Sequence, residues 1–598
     1  MPPIFSSTPK VLFLLVLAGL PSLACKPKEE PPPPPPSAAL CGGSGGSSGI
    51  QDYPCSAATV EGWVSNRQGH RQRNHAWYLF AGLNQPANGT FLWRTWPTST
   101  QAFPGQFGAA PGEGSAHLAL GPLPGAILEH PAEGTPRFAG SDAAPAGGAP
   151  GAIDDQNLAL PGGPRYSVPP QVLANPAYVG CIHNTAAGPA LIDGPRFQNN
   201  GDVMVAGVIY SPPAAQWILS NNLYNAGFLD SKVPPGTGTT TQATQMPSTS
   251  VVLKPMLWPV PNDRFVALPQ WGFADPNADR LPNGCEVFSG FERKDLWTDA
   301  VAVTAMVGPQ QPTADATYLN SPSVQLAVSY GPPPKCTPTY APSTGITYTG
   351  VPTADLGKFY TVRFTGPEFA SLAACDRALL DQSAYWAYGR AFGQNDVLVL
   401  VAMHMMTKEQ PGWTFQSAWW YRDAATCTSG DCARFAGDRP ADVQGAGTFK
   451  NYLMTTTYGQ NQQPGNQNTW PPSLASNTTW PVAFNPYIEL AATHPIETNC
   501  INCHRRAAWP SRITKSREYP NRSSAYLVAG STVPGLLDQF QLSNPVFNGL
   551  TTVDSMWAIS DRAYYRGASD SAEPATADPA TPATPPAAAP GTAPSPQP

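Results

Sequence analysis

The sequence predicts a mixed α+β protein that is rich in strands and in loops. Proline and glycine account for 71 and 54 of the 598 residues, which is too many interruptions for long amphipathic helices. Charged residues make up 12% of the chain, against a usual share of about 25%. Short apolar runs bounded by proline and glycine recur along the chain, a pattern typical of strands joined by turns.

Apolar runs rich in β-branched residues predict the strands, and apolar residues at helical spacing predict a smaller number of helices. The predicted strands are GDVMVAGVIYS (201–211), TSVVLKPMLWPV (249–260), FYTVRF (359–364) and DVLVLVAMHMM (396–406). The predicted helices are NHAWYLFAGLN (74–84), QWILSNNLYNAG (216–227) and PEFASLAACDRALLDQSAYWAYGR (367–390).

The N-terminus has the pattern of an export signal. Residues 11–24 form an apolar run after Lys10 that is too short to cross a bilayer and has the length of a signal-peptide core. The run ends in SLAC, with Ala24 before Cys25, which resembles a bacterial lipobox. We therefore expect residues 1–24 to be removed and Cys25 to be acylated. The alternative is an ordinary signal peptide and a periplasmic protein without a lipid.

Composition divides the mature chain into three regions. Residues 25–55 are a proline-, glycine- and serine-rich tether, and residues 569–598 are an alanine- and proline-rich tail that we expect to be disordered. Residues 56–568 carry the periodic segments and exceed one ordinary core, so we expect two subdomains. The organisation predicts an exported protein that is periplasmic or anchored to the outer membrane through its N-terminal lipid. A net charge of −6 without a lysine-arginine cluster gives no indication of nucleic-acid binding.

Near the C-terminus, the sequence NCINCHRR contains the spacing C-x-x-C-H at residues 500–504. A shuffled chain of this composition would contain about 0.003 copies of this pattern. Cys500 and Cys503 can form thioethers with the two vinyl groups of one porphyrin, and His504 then lies under the iron as its proximal ligand. The motif therefore predicts one covalent haem c. A redox-active cysteine pair and a zinc site are the alternatives, but neither the strand–helix context nor a second ligand pair is present.

The remaining cysteines fit an oxidising compartment. Without Cys25, Cys500 and Cys503, eight are left, and an even number suggests up to four disulfides. These are Cys41, Cys55, Cys181, Cys285, Cys336, Cys375, Cys427 and Cys432. Cys427 and Cys432 enclose a four-residue loop and predict a local disulfide, whereas the sequence does not give the other pairings.

Several segments together resemble a family of large exported bacterial c-type cytochrome-like proteins, mostly uncharacterised, with a single C-x-x-C-H motif near the C-terminus. The matching segments are AWYLFAGLNQPANGTFLWRTW (76–96), VVLKPMLW (251–258), LVAMHMMTKEQPGWTFQSAWWYRD (400–423), FNPYIE (484–489), NCINCHRRA (499–507) and TTVDSMWAI (551–559). They follow one another in the expected order over most of the mature chain. The resemblance implies a covalent haem and single-electron transfer, and it implies no further activity.

The sequence offers two candidates for the sixth ligand of the iron. Met556 is the single methionine downstream of the motif, and methionine is an ordinary axial ligand. His404 interrupts an apolar strand, where it shares a face with Met406 while Met403 and Met405 face the other way. The resemblance also places a histidine at this position. Either residue has an alternative structural role in the core, and an iron without a sixth ligand is a further alternative.

Arg505 and Arg506 follow the motif directly. Guanidinium groups suit carboxylates, so we expect one of them to pair with a haem propionate and the other to face solvent. The alternative is that both are surface charges.

The predicted function is single-electron transfer to or from a redox partner protein that the sequence does not identify. A haem-dependent periplasmic oxidoreductase or peroxidase acting on a small substrate is the alternative, as is a haem-based sensor or binding protein, because the chain is several times larger than a simple carrier. Catalytic residues remain unassigned. The sequence contains no Walker loop and no H-E-x-x-H zinc motif.

Overall fold

Short strands and short helices alternate along the chain in the computed structural model of this protein. The structure describes residues 40–41, 50, 53–66, 68–104, 166–185, 188–233, 241–273, 291, 297–319, 325–330, 338–342, 344–428, 430–440, 447–458, 485–489, 500, 504, 507–509 and 549–564. The strands are β1 Pro86–Ala87, β2 Thr90–Phe91, β3 Ile182–Thr185, β4 Gly188–Leu191, β5 Gln198–Asn199, β6 Val205–Ala206, β7 Ile209–Tyr210, β8 Thr241–Gln242, β9 Val251–Val260, β10 Val266–Gln270, β11 Asp299–Val303, β12 Thr313–Tyr318, β13 Gln325–Tyr330, β14 Pro338–Pro342, β15 Ile346–Pro352, β16 Thr361–Val362, β17 Val397–Thr407, β18 Thr414–Trp420, β19 Tyr452–Thr457, β20 Ala508–Trp509 and β21 Thr551–Thr552. The helices are α1 Ala57–Ser65, α2 Gly69–Leu83, α3 Ser99–Ala102, α4 Pro170–Leu173, α5 Pro212–Ser220, α6 Ala226–Asp230, α7 Gly366–Ala370, α8 Ala374–Tyr388, α9 Gly430–Ala436, α10 Pro486–Glu489 and α11 Trp557–Arg562.

The largest sheet among the described residues has eight strands, and all of its pairings are antiparallel. Its order is β19-β18-β17-β9-β6-β5, with β16 beside β17 and β7 beside β9. The long strands β17 and β18 form a hairpin, and β9 pairs with the other edge of β17. This register places Ser417 and Lys254 on either side of His404.

Strand β17 is buried along almost its whole length because both faces of the sheet are covered. The side chains of Met403 and Met405 enter one hydrophobic cluster, whereas Met406 enters a second one. The predicted alternation of these methionines along the strand is therefore confirmed. His404 is the residue of β17 whose side chain is half-buried.

The second cluster collects side chains from distant parts of the sequence on one face of the large sheet. Val252, Met406 and Phe415 come from the sheet, and Ala507, Trp509, Val553, Met556 and Ile559 come from the C-terminal part of the chain. A three-stranded sheet of order β20-β21-β8 fixes this C-terminal part, with Thr551 paired to both Trp509 and Thr241. The residues around the C-x-x-C-H motif are thus joined to the centre of the fold.

Smaller sheets complete the strand content. Four strands pair in the order β11-β10-β12-β15, and the hairpins β1-β2, β3-β4 and β13-β14 stand apart from the larger sheets. Together with the helices, these mainly antiparallel sheets confirm the predicted mixed α+β class.

The predicted strand boundaries are close for 249–260 and 396–406, which form β9 and β17. The segment 359–364 forms only the short strand β16. The segment 201–211 forms two short strands, β6 and β7, which pair with β9 in one register on either side of Gly207; the ladder is interrupted there because Pro255, opposite Gly207, has no N–H to donate. The amide of Gly207 donates to the carbonyl of Pro255 at 3.0 Å, so the chain stays attached to β9 across this break.

The predicted helix 74–84 is confirmed as α2. The segment 216–227 is instead covered by α5 and α6, because Pro212 begins α5 and Asn222 adopts a left-handed conformation that no helix interior accepts. The segment 367–390 is also divided, into α7 and α8. A capping box of Thr365 and Glu368 begins α7, and Gly389 ends α8 in a left-handed conformation.

A buried carboxylate ties the start of α8 to the neighbouring loop. Asp376 accepts the backbone N–H groups of Arg196 and Phe197 at 2.9 and 3.0 Å. Burial raises the pKa of this carboxyl to about 6, although the two N–H groups act in the opposite direction. The break between the helices places Asp376 in the first turn of α8, where it meets this loop.

Three cysteine pairs lie at disulfide distance. The Cα separations are 4.9 Å for Cys41 and Cys55, 5.2 Å for Cys181 and Cys375, and 6.0 Å for the predicted local pair Cys427 and Cys432. Cys285 and Cys336 lie outside the described residues.

The end of the predicted tether, residues 25–55, packs against the fold. Ile50, Tyr53 and Cys55 are buried, because their apolar and aromatic side chains contribute to the hydrophobic clusters. The predicted signal peptide, the acylated Cys25 and the tail 569–598 lie outside the described residues. Within the described ranges, no helix has the length and apolar character needed to cross a bilayer.

Candidate functional site

Two residues of the C-x-x-C-H motif are described by the structure. Cys500 and His504 both have helical backbone and half-buried side chains, and Cys500 packs against the second cluster. Cys503, Arg505 and Arg506 lie outside the described residues. The local chain continues from His504 through a hydrogen bond between its carbonyl and the amide of Ala507, at 3.1 Å, into β20.

The imidazole of His504 is oriented by a backbone carbonyl. Its Nδ1 lies 2.9 Å from the carbonyl oxygen of Ser555. A carbonyl oxygen only accepts hydrogen bonds, so Nδ1 carries the proton. In the neutral ring, Nε2 is then the unprotonated nitrogen, which is the form that binds a metal.

The surroundings of His504 favour this neutral form. The pKa of His504 is lowered to about 4, mainly by burial, and charge repulsion from His404 and Lys254 acts in the same direction. The hydrogen bond to Ser555 acts in the opposite direction but does not outweigh burial. The imidazole is therefore uncharged at neutral pH, and a nearby histidine and lysine contribute to keeping it so.

The carbonyl of Ser555 is presented by an unusual turn before α11. Asp554 and Ser555 both have positive φ values, 51° and 63°, in the left-handed region that residues with a side chain rarely adopt. The carboxylate of Asp554 accepts hydrogen bonds from the Lys408 ammonium at 2.5 Å and from the Met246 amide at 2.8 Å. Its backbone carbonyl accepts from the indole N–H of Trp413 at 2.8 Å.

Lys408 and Asp554 form a buried ion pair. Their side chains are 3% and 4% exposed, so neither charge is compensated by bulk water. Burial lowers the pKa of Lys408 and raises the pKa of Asp554, and each charge opposes the shift of the other. Lys408 also donates to the carbonyl of Pro411 at 2.5 Å. Because Lys408 and Trp413 lie in the β17–β18 hairpin, that hairpin positions the carbonyl that orients His504.

The second histidine, His404, is oriented from the sheet. Its Nδ1 lies 2.5 Å from Oγ of Ser417, its partner across the β17–β18 pair. The Ser417 hydroxyl oxygen also accepts from the side-chain amide of Asn485 at 2.8 Å. Asn485 in turn accepts the amide of Tyr487 at 3.1 Å, which links His404 to the start of α10.

The two imidazoles lie on the same side of the large sheet. The ring of His504 contacts the ring of Phe415, with centroids 4.9 Å apart. Phe415 pairs with Met406 and lies two residues from Ser417, so its side chain is on the same face as Ser417 and His404. His404 also lowers the pKa of His504 by charge repulsion, which agrees with the two rings lying on the same side of the sheet.

Met556 lies in the same cluster, next to the turn that presents the Ser555 carbonyl. Its side chain is buried in the second cluster, and its amide donates to the carbonyl of Val553 at 2.9 Å. Met556 directly follows Ser555, which faces Nδ1 of His504. In an imidazole ring, Nε2 faces away from the group that is hydrogen-bonded to Nδ1, which is here the Ser555 carbonyl.

The chemistry of this residue set suits a metal-bearing macrocycle. It combines a thiol, a neutral imidazole four residues later and a second imidazole on the same sheet face, next to apolar and aromatic side chains. Imidazole nitrogen and cysteine sulfur are donors that suit soft or borderline metals.

Sequence reasoning identified His404, Cys500 and His504 but missed the residues that orient the two rings. Nothing in the local sequence connects Lys408 with Asp554, because 146 positions separate them. The two charged residues Lys408 and Glu409 at the end of an apolar strand are only a weak indication of a buried ion pair, because charged residues in a tight hairpin are usually solvated. The dipeptide Asp554–Ser555 predicts a turn, but the sequence does not show that this turn faces His504.

No protein-family model matches this chain, and neither a curated protein nor a solved structure matches it.

Proposed function

We propose that this chain is an exported monohaem c-type cytochrome that transfers single electrons. Cys500 and Cys503 would attach the haem covalently, and His504 would bind its iron through Nε2. The proposal is supported by the C-x-x-C-H spacing and by the hydrogen bond from Nδ1 of His504 to the Ser555 carbonyl. That hydrogen bond leaves the tautomer that an axial ligand needs, and it raises the basicity of the ligating nitrogen.

The proposed roles of the surrounding residues follow from their contacts. Ser555 fixes the proton of His504, and the ion pair of Lys408 with Asp554 fixes the turn that contains Ser555. Arg505 and Arg506 are proposed to contact the haem propionates, on the basis of sequence position alone.

We propose His404 rather than Met556 as the sixth ligand. His404 is on the sheet face that His504 packs against, and the contact of its Nδ1 with Ser417 fixes the orientation of the ring. Met556 follows the turn that faces the other edge of the His504 ring. Two imidazoles would occupy both axial positions.

When bound, the haem would supply one-electron exchange between the ferric and ferrous states, and an iron held by both His504 and His404 would not take up a substrate. The residues of this chain would hold the imidazole of His504 neutral and both rings fixed, exclude water with the second cluster, and present one edge of the site to a redox partner protein. Disulfides between the cysteines at bonding distance and an acylated Cys25 at a periplasmic or outer-membrane surface are parts of the same proposal.

The proposal is tested by counting haem on protein from a host that matures c-type cytochromes. A pyridine haemochrome assay should give one haem per chain for the wild type, and none for Cys500→Ala/Cys503→Ala. The matched control is Cys427→Ala/Cys432→Ala, which removes two other cysteines near one another and should keep its haem. Equal haem content in all three proteins, or none in the wild type, contradicts the proposal.

A further inference from the structure

A second group of metal-binding side chains lies where the N-terminal segment meets helix α2. The sulfur atoms of Cys41 and Cys55 and one ring nitrogen of His75 all lie within 4.8 Å of one another. Cys55 and His75 are buried and Cys41 is half-buried. The three residues come from separate segments, so the group is a product of the tertiary fold.

The imidazole of His75 is fixed by one nitrogen and leaves the other without a hydrogen bond. The side chain is 0% exposed, and its Nδ1 lies 2.7 Å from the hydroxyl of Tyr458. Nε2 is buried and makes no hydrogen bond with any residue that the structure describes. It lies 3.1 Å from Oε1 of Glu409, but the alignment of the two groups is not that of a hydrogen bond. A buried nitrogen in this position is costly unless something occupies it.

The carboxylate of Glu409 next to this nitrogen is held in place by two donors. Oε1 accepts the amide of Cys55 at 2.7 Å, and Oε2 accepts the hydroxyl of Thr407 at 2.6 Å. The side chain of Glu409 is 0% exposed. Its negative charge therefore lies in the interior beside two sulfurs and an imidazole, where a positive charge would be stabilising.

We propose that the dithiol form of Cys41 and Cys55, together with Nε2 of His75, binds Zn²⁺, with Glu409 as the adjacent carboxylate. Zinc prefers sulfur and imidazole ligands in a tetrahedral arrangement at about 2.0–2.3 Å, which places neighbouring ligands about 3.5–4 Å apart. The donor atoms all lie within 4.8 Å of one another, and reduction of the Cys41–Cys55 pair, whose Cα atoms are 4.9 Å apart, would let the two sulfurs separate to that spacing. The hydrogen bond of Nδ1 to Tyr458 is the kind of contact that orients a ligating histidine from behind.

The charges also favour a divalent cation. Two thiolates and the Glu409 carboxylate would place three negative charges in a buried site, and Zn²⁺ offsets two of them. Binding displaces one proton from each thiol and transfers no electrons. Calcium and magnesium prefer oxygen ligands, so a site with two sulfurs and a nitrogen does not suit them.

The same two sulfurs lie at disulfide distance, so oxidation and zinc binding exclude each other. Disulfide formation removes two electrons and two protons from the pair and abolishes the site. A dithiol reductant such as dithiothreitol returns both and becomes a cyclic disulfide itself. The pair would therefore bind zinc before it is oxidised or after it is reduced.

The test uses the full-length purified chain, reduced with dithiothreitol, freed of reductant without oxygen and titrated with Zn²⁺ against a chromophoric chelator. We expect the wild type to bind one more Zn²⁺ per chain than Cys41→Ser/Cys55→Ser. The matched control Cys181→Ser/Cys375→Ser removes another cysteine pair at disulfide distance and should bind as the wild type does. His75→Gln should weaken binding more than about 100-fold, because even outer-shell partners contribute about 10- to 100-fold.

Protection of the thiols gives a second measurement on the wild-type chain alone. Zn²⁺ should slow alkylation of Cys41 and Cys55, located by peptide mass spectrometry, and a strong chelator should restore the rate. Equal zinc binding by the wild type and Cys41→Ser/Cys55→Ser contradicts the proposal, as does an alkylation rate that Zn²⁺ leaves unchanged. Neither readout depends on haem, so this result is separate from that of the haem assay.

Discussion

Replacing Lys408 with methionine tests whether the β17–β18 hairpin positions the site. The substitution removes the cation that pairs with Asp554 at 2.5 Å while retaining a long apolar side chain. Asp554 is 6% exposed and would lose its only charged hydrogen-bond donor among the described residues. The side-chain carboxylate of Asp554 would keep the hydrogen bond from the amide of Met246.

The size of the effect follows from burial. Removing one partner of a buried ion pair costs about 3–5 kcal/mol, because the other charge stays in the interior without compensation. We expect Lys408→Met to lower the free energy of unfolding by that amount at pH 7. The double variant Lys408→Met/Asp554→Asn should return to within about 1 kcal/mol of the wild type, because it removes both charges.

Denaturant unfolding followed by circular dichroism measures this difference. The control is Lys232→Met, which removes an exposed lysine just after α6 and should change stability by less than about 0.5 kcal/mol. A loss below about 1 kcal/mol for Lys408→Met, equal to that of the control, would refute the reasoning from the buried pair.

The same variant has a second readout in haem-loaded protein. A looser Ser555 carbonyl weakens the hydrogen bond from Nδ1 of His504 and makes the ligand less basic, which stabilises the ferrous state. Loss of a bond that contributes about 1 kcal/mol should raise the one-electron reduction potential by roughly 40–60 mV. Redox titration of Lys408→Met and Lys232→Met measures the shift, and only the first should move.

Three further predictions concern the distal ligand, the buried Asp376 and one cysteine pair. His404→Ala should convert reduced haem-loaded protein from a low-spin form that ignores carbon monoxide to one that binds it, whereas Met556→Leu should not; the reverse result in visible spectra assigns the ligand to Met556. The pKa of Asp376 is about 6 in the folded protein against 3.8 in the unfolded chain, so between these values the folded state binds a proton that the unfolded chain has lost. The free energy of unfolding therefore falls as pH rises from about 4 to 6. Wild type should therefore lose about 3 kcal/mol relative to Asp376→Asn across that window in denaturant unfolding, and parallel pH profiles would show that Asp376 does not titrate there. Cys181→Ser/Cys375→Ser removes a disulfide that spans 194 positions, and the chain-entropy model predicts a loss of about 5 kcal/mol in the free energy of unfolding. The loss is measured as a shift in the denaturation midpoint. An effect smaller than that of Cys427→Ser/Cys432→Ser, which removes a disulfide that spans only 5 positions, contradicts the pairing.

The sequence predicts the long, strongly apolar elements well and the short ones poorly. Strands β9 and β17 and helix α2 have enough apolar residues for their type and approximate ends to be recognised. The divided helices depend on single residues, such as the left-handed Asn222, and on tertiary contacts such as those of Asp376. Those contacts join positions about 180 residues apart, which no local pattern reveals.

In the candidate site, too, local patterns predict some residues, whereas others depend on contacts between distant parts of the chain. A spacing rule identifies Cys500 and His504, and an interrupted strand identifies His404, because both signals are local. The orientation of the rings depends on Ser555 and Ser417, whose partners are brought together by strand register and by the three-stranded sheet. The proposal of His404 rather than Met556 likewise uses the direction of the Nδ1–carbonyl bond, which is a property of the fold.

The most direct test of the central claim is the mass of the tryptic peptide that contains the motif. Trypsin cleaves after Lys450 and Arg505, so Cys500, Cys503 and His504 fall in one peptide, 451–505. From protein matured in a host that attaches haem, this peptide should carry the mass of one haem and keep it through denaturation and acid acetone. A peptide with the bare amino-acid mass, or with a disulfide and no pigment, would contradict covalent haem attachment.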